Sequence, residues 1–212
     1  MTIADLLVAA SVAASVAYGA ALTQREASLW RTAVKTTAVA TLAVLAFVLH
    51  HAWPLVAGLA LSAAGDAFLA GDAERWLPAG LGTFLLAHVS YIWFFLHNGY
   101  GLGVLASEPW RGAGAGVAVV AGVVMLAWLW RSIGPLRPAV AVYAAALAGM
   151  VVTALTLPIR DWPAMAGAVL FLISDALLSA ELFKGFRARW SGPAVWATYY
   201  GAQGLIAYAF LK

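Results

Sequence analysis

Gly167 to Ala180 reads GAVLFLISDALLSA and sets one carboxylate, Asp175, inside an apolar run from Ala164 to Phe183. A run of about twenty such residues crosses the hydrocarbon core of a bilayer. An aspartate near the centre of a spanning helix costs about 2.5 to 3.5 kcal/mol on insertion scales, so it calls for an inward-facing partner or a task. A second stretch, Leu61 to Ala70 (LSAAGDAFLA), repeats the arrangement around Asp66. Outward from these two segments, the chain reads as an all-α membrane protein. Of its 212 residues, 64% are hydrophobic and 10% charged, too little charge to clothe a soluble domain of this size. The absence of cysteine excludes a disulfide framework, a thiolate metal site and a cysteine nucleophile. The basic residues are scattered singly among short loops and make no nucleic-acid footprint.

Eight apolar runs of spanning length follow one another, at roughly 3–22, 33–49, 54–70, 77–97, 113–131, 138–157, 162–183 and 193–211. The expected architecture is therefore a bundle of eight transmembrane helices forming a single domain over 1–212. The first run lacks a basic leader and carries Asp5, so it reads as a retained span, not a cleaved signal. Pro54, Pro78, Pro138, Pro163 and Pro193 each sit near the start of a run, where a missing N–H costs nothing. The loops after the odd-numbered runs, with their flanks, hold Arg25, Arg31, Lys35, Arg75, Arg131, Arg137, Lys184, Arg187 and Arg189. The opposite side holds only Arg111, Arg160 and Lys212. That asymmetry places the odd loops in the cytosol and both termini outside. Ser62 to Leu69 and Phe171 to Leu178 align around their aspartates, nearly half a chain apart, as two parallel four-helix repeats would require.

Depth follows from about 1.5 Å per helical residue. Asp66 lies about 6 Å, Asp175 about 12 Å and His88 about 16 Å from the cytosolic ends of their runs. Tyr91 sits one turn beyond His88, and Tyr199, Tyr200 and Gln203 enter from the same side. Lys35 and Tyr143 fall in the first turns of their runs, again on the cytosolic side. The intramembrane polar groups thus gather in one half of the bilayer. Each also has a plain structural reading. Either aspartate can be a hydrogen-bonded packing element, His88 a satisfied interior histidine, the tyrosines core or belt aromatics, Lys35 a snorkelling anchor and Gln203 inter-helix glue. His50, His51 and His97 fall at the outer boundary.

GDAFL at 65–69, FLLAHVSYIWFF with His88 and Tyr91, VYAAALAGM at 142–150, GAVLFLISDALLS at 167–179 and TYYGAQGLIAY at 198–208 occur in that order. As a set they resemble the YhhN family of eight-span membrane proteins, over runs two to eight. Lys35 resembles the family's basic residue at the start of the second span, with Thr36 where a proline often follows. The resemblance implies hydrolysis of the vinyl-ether bond of 1-alkenyl lysophospholipids, to a fatty aldehyde and a glycerophospho-base. Such a bond opens when its β-carbon is protonated and water captures the oxocarbenium ion, which needs an acid and an anion, the roles divided between paired carboxyls in glycosidases. On that footing the expected catalytic residues are Asp175 as acid and Asp66 as anionic partner, or the reverse, with His88 as proton shuttle. Tyr91, Tyr143, Tyr199, Tyr200 and Gln203 would position the substrate, and Lys35 would meet its phosphate.

The expected partners are a lysophospholipid and the bilayer, at a site opening toward the cytosolic leaflet, with no cofactor and no metal. Two alternatives stay open. Asp66, His88 and Asp175 could hold Zn²⁺ for ester or amide hydrolysis, although none of them has helical ligand spacing. The buried acids could equally serve a proton-coupled transporter. The oligomeric state stays open too, since the GxxxG at Gly112 to Gly116 can pack helices within or between chains.

Overall fold

The computed structural model describes residues 2–50, 53–71 and 73–211, apart from the side chains of His50, Ala73 and Glu74. His51, Lys212 and the His50 side chain, placed above from sequence, lie outside that description. The described residues are mostly helical and contain no strand. The long helices are α1 (Ile3–Ala21), α2 (Leu29–His50), α3 (Trp53–Ala70) and α4 (Ala73–Asn98) in the first half. The short α5 (Val104–Ser107) leads to α6 (Pro109–Leu129), α7 (Arg137–Ala154), α8 (Trp162–Lys184) and α9 (Ser191–Leu211). Seven of them, α1 to α4 and α6 to α8, are long and apolar enough to span a membrane, and the chain is a multi-pass integral membrane protein. The helix α9, at 21 residues, is long enough but less apolar. Its polar side chains account for that: Tyr199 and Gln203 are spent inward, both buried.

Proline behaves as expected at four of the five positions named above. Pro54, Pro138 and Pro163 take the second place of α3, α7 and α8, and Pro193 the third of α9. Pro78 differs. Helix α4 starts at Ala73, earlier than the apolar run, so Pro78 lies inside it and removes one ladder donor. The polar first turn that hid this start, Glu74 and Arg75, projects beyond the apolar part of the helix. The helix α8 stops at Gly185, whose φ of 67° is the left-handed conformation that ends a helix without steric cost.

Packing fixes the two aspartate helices differently. The α3–α4 contact is close because Gly58 and Gly65, two turns apart on α3, leave room for Tyr91 and Phe84 of α4. A Cβ on Gly65 would meet the Phe84 ring at 2.5 Å, and one on Gly58 would meet the Tyr91 ring at 2.5 Å. Gly65→Ala should therefore lower stability by about 1–3 kcal/mol, the usual cost of overpacking. Thermal unfolding in detergent checks this, and an unchanged midpoint would show that Phe84 gives way freely. On the other side, α8 packs chiefly on α9, and α4 lies against α7 while α2 lies against α9. Gly112 of the GxxxG is used within the chain, where a Cβ would reach the carbonyl oxygen of Leu105 in α5 at 2.5 Å.

The two ends of the bundle are unlike. At one end Arg31 donates to the carbonyls of Leu22 (3.1 Å) and Ala70 (2.6 Å), satisfying the last turns of α1 and α3. Gln24 donates to the Arg189 carbonyl there, and Lys184 stands over the Trp128 ring. At the other end the buried Arg111 donates to the carbonyls of Leu155 (2.5 Å) and Leu157 (2.7 Å) beyond α7 and pairs with Glu108 at 2.8 Å. That hydrogen bond holds the Glu108 carboxyl below the usual carboxylate range.

Candidate active site

A cavity of about 150 Å³ opens at the lysine- and arginine-rich end, between α1, α2, α3, α4, α7, α8 and α9. Asp66 and Asp175 both line it, together with Lys35, Tyr143 and Tyr199. Asp66 is 1% exposed and held from two sides. Lys35 Nζ lies 3.0 Å from its Oδ1, and the Tyr199 hydroxyl donates to its Oδ2 at 2.6 Å. Asp175 is also buried, at 8% exposed, but differently accompanied. The Tyr143 hydroxyl donates to its Oδ2, and Asp175 makes no ion pair among the described residues. One carboxylate therefore has a cation against it and the other has a phenol.

The remaining expected residues sit behind this cavity and do not line it. His88 is fully buried, edge-on to the rings of Tyr143 (5.0 Å) and Phe171 (4.8 Å), and neither ring nitrogen has a hydrogen-bond partner among the described residues. Deeper still, Tyr91 donates to Gln203 Oε1 at 2.6 Å, so these two pair with each other. Tyr200 turns away to α1, where its hydroxyl and that of Ser11 lie 2.8 Å apart. Adjacent residues on a helix point about 100° apart, and this separates Tyr199 from Tyr200. Asp66, His88 and Asp175 form no metal-ligating cluster among the described residues.

Several wall residues were not anticipated from sequence. Tyr18 lines the cavity with its ring 5.6 Å from the Arg31 guanidinium and 6.0 Å from Lys35 Nζ. It is braced by Trp196, whose indole N–H donates to the Ser15 carbonyl at 3.0 Å. A signal existed: Ser11, Ser15 and Tyr18 form a buried stripe along an otherwise apolar helix. Arg31 and Glu181 stand at the mouth, on α2 and α8.

The YhhN family model matches residues 30–210, which is everything from α2 through most of α9. The chain belongs to the YhhN family. Among curated proteins, a lysoplasmalogenase of Mycobacterium bovis is 36% identical over 162 residues, 74% of this chain and 59% of that protein. Lysoplasmalogenase TMEM86A of Homo sapiens is 31% identical over 174 residues, covering 77% of this chain and 68% of the human protein. The bovine TMEM86A is 29% identical over the same length. The aligned part thus spans under two thirds of the mycobacterial relative's length. No solved structure matches the chain. All five cavity residues named from sequence fall within the YhhN match, whereas α1, which contributes Tyr18, falls outside it.

Proposed function

We propose that this YhhN protein is a membrane-embedded hydrolase that cleaves the vinyl-ether bond of lysoplasmalogen, releasing a fatty aldehyde and a glycerophospho-base. The observation that carries this is the pair of buried carboxylates in unlike company on one cavity wall. The relatives named lysoplasmalogenase supply the substrate class. Asp66, against Lys35 and accepting from Tyr199, is the anion. Asp175, with no cation beside it, is the acid, and Tyr143 fixes which of its oxygens faces the substrate. The proton on Asp175 passes to the β-carbon of the vinyl ether, and the electron pair of the double bond forms the new C–H bond. The positive charge then spreads over the α-carbon and ether oxygen, facing Asp66. Water adds to the α-carbon, its spare proton returns to the Asp175 carboxylate, and the hemiacetal collapses to aldehyde and alcohol. His88 is a positioning residue behind Tyr143, and Tyr91, Gln203 and Tyr200 stiffen the helices around it. Lys35 is committed to Asp66, so the substrate phosphate falls to Arg31 at the mouth.

The same reading extends to the membrane. The chain is one eight-span domain, with α9 as the eighth span and the cavity opening toward the cytosolic leaflet. The basic loops surrounding the mouth support that orientation, with both termini outside. Two parallel four-helix repeats are supported by neighbour relations, because α4 against α7 and α2 against α9 exchange when the halves are swapped. The test incubates purified protein with alkenyl, alkyl and acyl lysophospholipids bearing choline or ethanolamine. Aldehyde should appear from the alkenyl lipids alone. Fatty acid released from the acyl lipid, without aldehyde, would replace this reading with an ester hydrolase.

A further inference from the structure

A second hollow, of about 100 Å³, lies between α6, α7 and α8. Its walls are Gly122, Met125 and Leu126 of α6, Ala144 and Leu147 of α7, and Leu172 of α8. Besides these and other apolar residues it shows only three polar side chains, Tyr143, Asp175 and Ser179. Those three and Val140 also line the charged cavity, so the two hollows meet at the Tyr143–Asp175 hydrogen bond. The small side chains of Ala121, Gly122, Ala144 and Ala176 keep the groove open. At Gly122 an added Cβ would find only ordinary contacts, Ala148 Cβ at 3.7 Å and the Ala144 carbonyl oxygen at 3.9 Å. The helices α2 and α3 pack along their lengths, whereas α7 and α8 touch over much less of theirs. The outer face of α6 is lipid-facing valine, with Val117, Val120, Val123 and Val124 all strongly exposed. Leu129 and Val140 of the groove wall also pack with Ile133 in a small apolar cluster.

We infer that this groove holds the hydrocarbon chain of a single-chain amphiphile whose head group occupies the charged cavity, with the junction between them at Asp175 and Tyr143. The inference rests on the lipid reading above and deepens it by placing the chain. A molecule bridging the two hollows has to be charged at one end and apolar at the other. The cavity sets Lys35–Asp66, Arg31 and Glu181 beside apolar walls such as Leu69, Leu77 and Phe84, so of the two hollows it is the one with charged partners for a head group. The groove offers almost nothing to a head group. Moving a chain from lipid into such a groove gains little hydrophobic free energy, since both media are apolar. Its value is positional: it registers the ether bond against Asp175.

The test uses a 1-alkyl-glycerophosphoethanolamine with a diazirine at the chain end, a probe that contains no vinyl ether and is not turned over. In nanodiscs, photolabelling of the full chain should concentrate on 121–129 of α6 and 144–147 of α7. Met125→Trp fills the groove and should cut that labelling at least fivefold, while Met125→Ala retains it. With alkenyl substrates, Met125→Trp should lower kcat/KM at least tenfold for a sixteen-carbon chain. A four-carbon chain should change less than twofold. Labelling spread over the lipid-facing surfaces of α1 and α4, and unchanged by Met125→Trp, would overturn the groove. Labelling in the groove without aldehyde release from any alkenyl lipid would uphold the groove and overturn the vinyl-ether reading instead. Should Met125→Trp fail to fold, the wild-type and Met125→Ala labelling maps decide.

Discussion

Asp175→Asn should lower aldehyde release about a hundredfold or more, the scale on which a positioned acid contributes. The substitution is close to isosteric. Its amide oxygen can still accept from the Tyr143 hydroxyl, and no cation is orphaned, because Asp175 makes no ion pair among the described residues. Thermal stability should therefore stay near that of the parent while turnover collapses. Aldehyde release measured with equal amounts of folded protein separates the two quantities. Full turnover by Asp175→Asn would remove this residue from the chemistry. Asp66→Asn should be equally inactive but for a mixed reason, since it also leaves Lys35 without its carboxylate.

That second effect can be isolated. Lys35→Met leaves the Asp66 carboxylate, 1% exposed, with Tyr199 as its remaining close partner. Breaking a buried ion pair from one side costs about 3–5 kcal/mol, because the surviving charge has lost both water and partner. The double variant Lys35→Met/Asp66→Asn removes both charges and should recover most of that loss, yet remain inactive. The expected order of unfolding midpoints is parent, then double variant, then Lys35→Met. A double variant no more stable than Lys35→Met would mean that the 3.0 Å contact does not govern the energetics of this wall. Activity in the double variant would dismiss Asp66 as the anion.

The polar side chains that meet here were legible to different degrees. Counting residues along each helix gives depth, and depth alone brought Lys35, Asp66, Tyr143, Asp175 and Tyr199 into one half of the bilayer. It also brought Tyr200, Tyr91, Gln203 and His88, which the packed bundle turns elsewhere. Height along a span is a property of the sequence; rotation about the helix axis is set by neighbours. In α3 and α4 the neighbours are Gly58 against Tyr91 and Gly65 against Phe84, contacts made between residues far apart in the chain. The contact between Lys35 and Asp66 was not legible for the same reason: nothing in α2 alone says that Asp66 of α3 stands 3.0 Å away. The eighth helix was visible as an apolar run but carries its polarity inward, so composition undervalues it. The groove beside α6 had no sequence signature, because a void belongs to no residue.

Two hollows sharing one wall have a consequence for what happens after the bond breaks. If the head group rests in the basic-end cavity and the chain in the groove, the water-soluble fragment can depart through the mouth toward solvent while the aldehyde slips sideways into the bilayer. Neither product then has to wait for the other, and a reactive carbonyl is delivered to the lipid phase without crossing water.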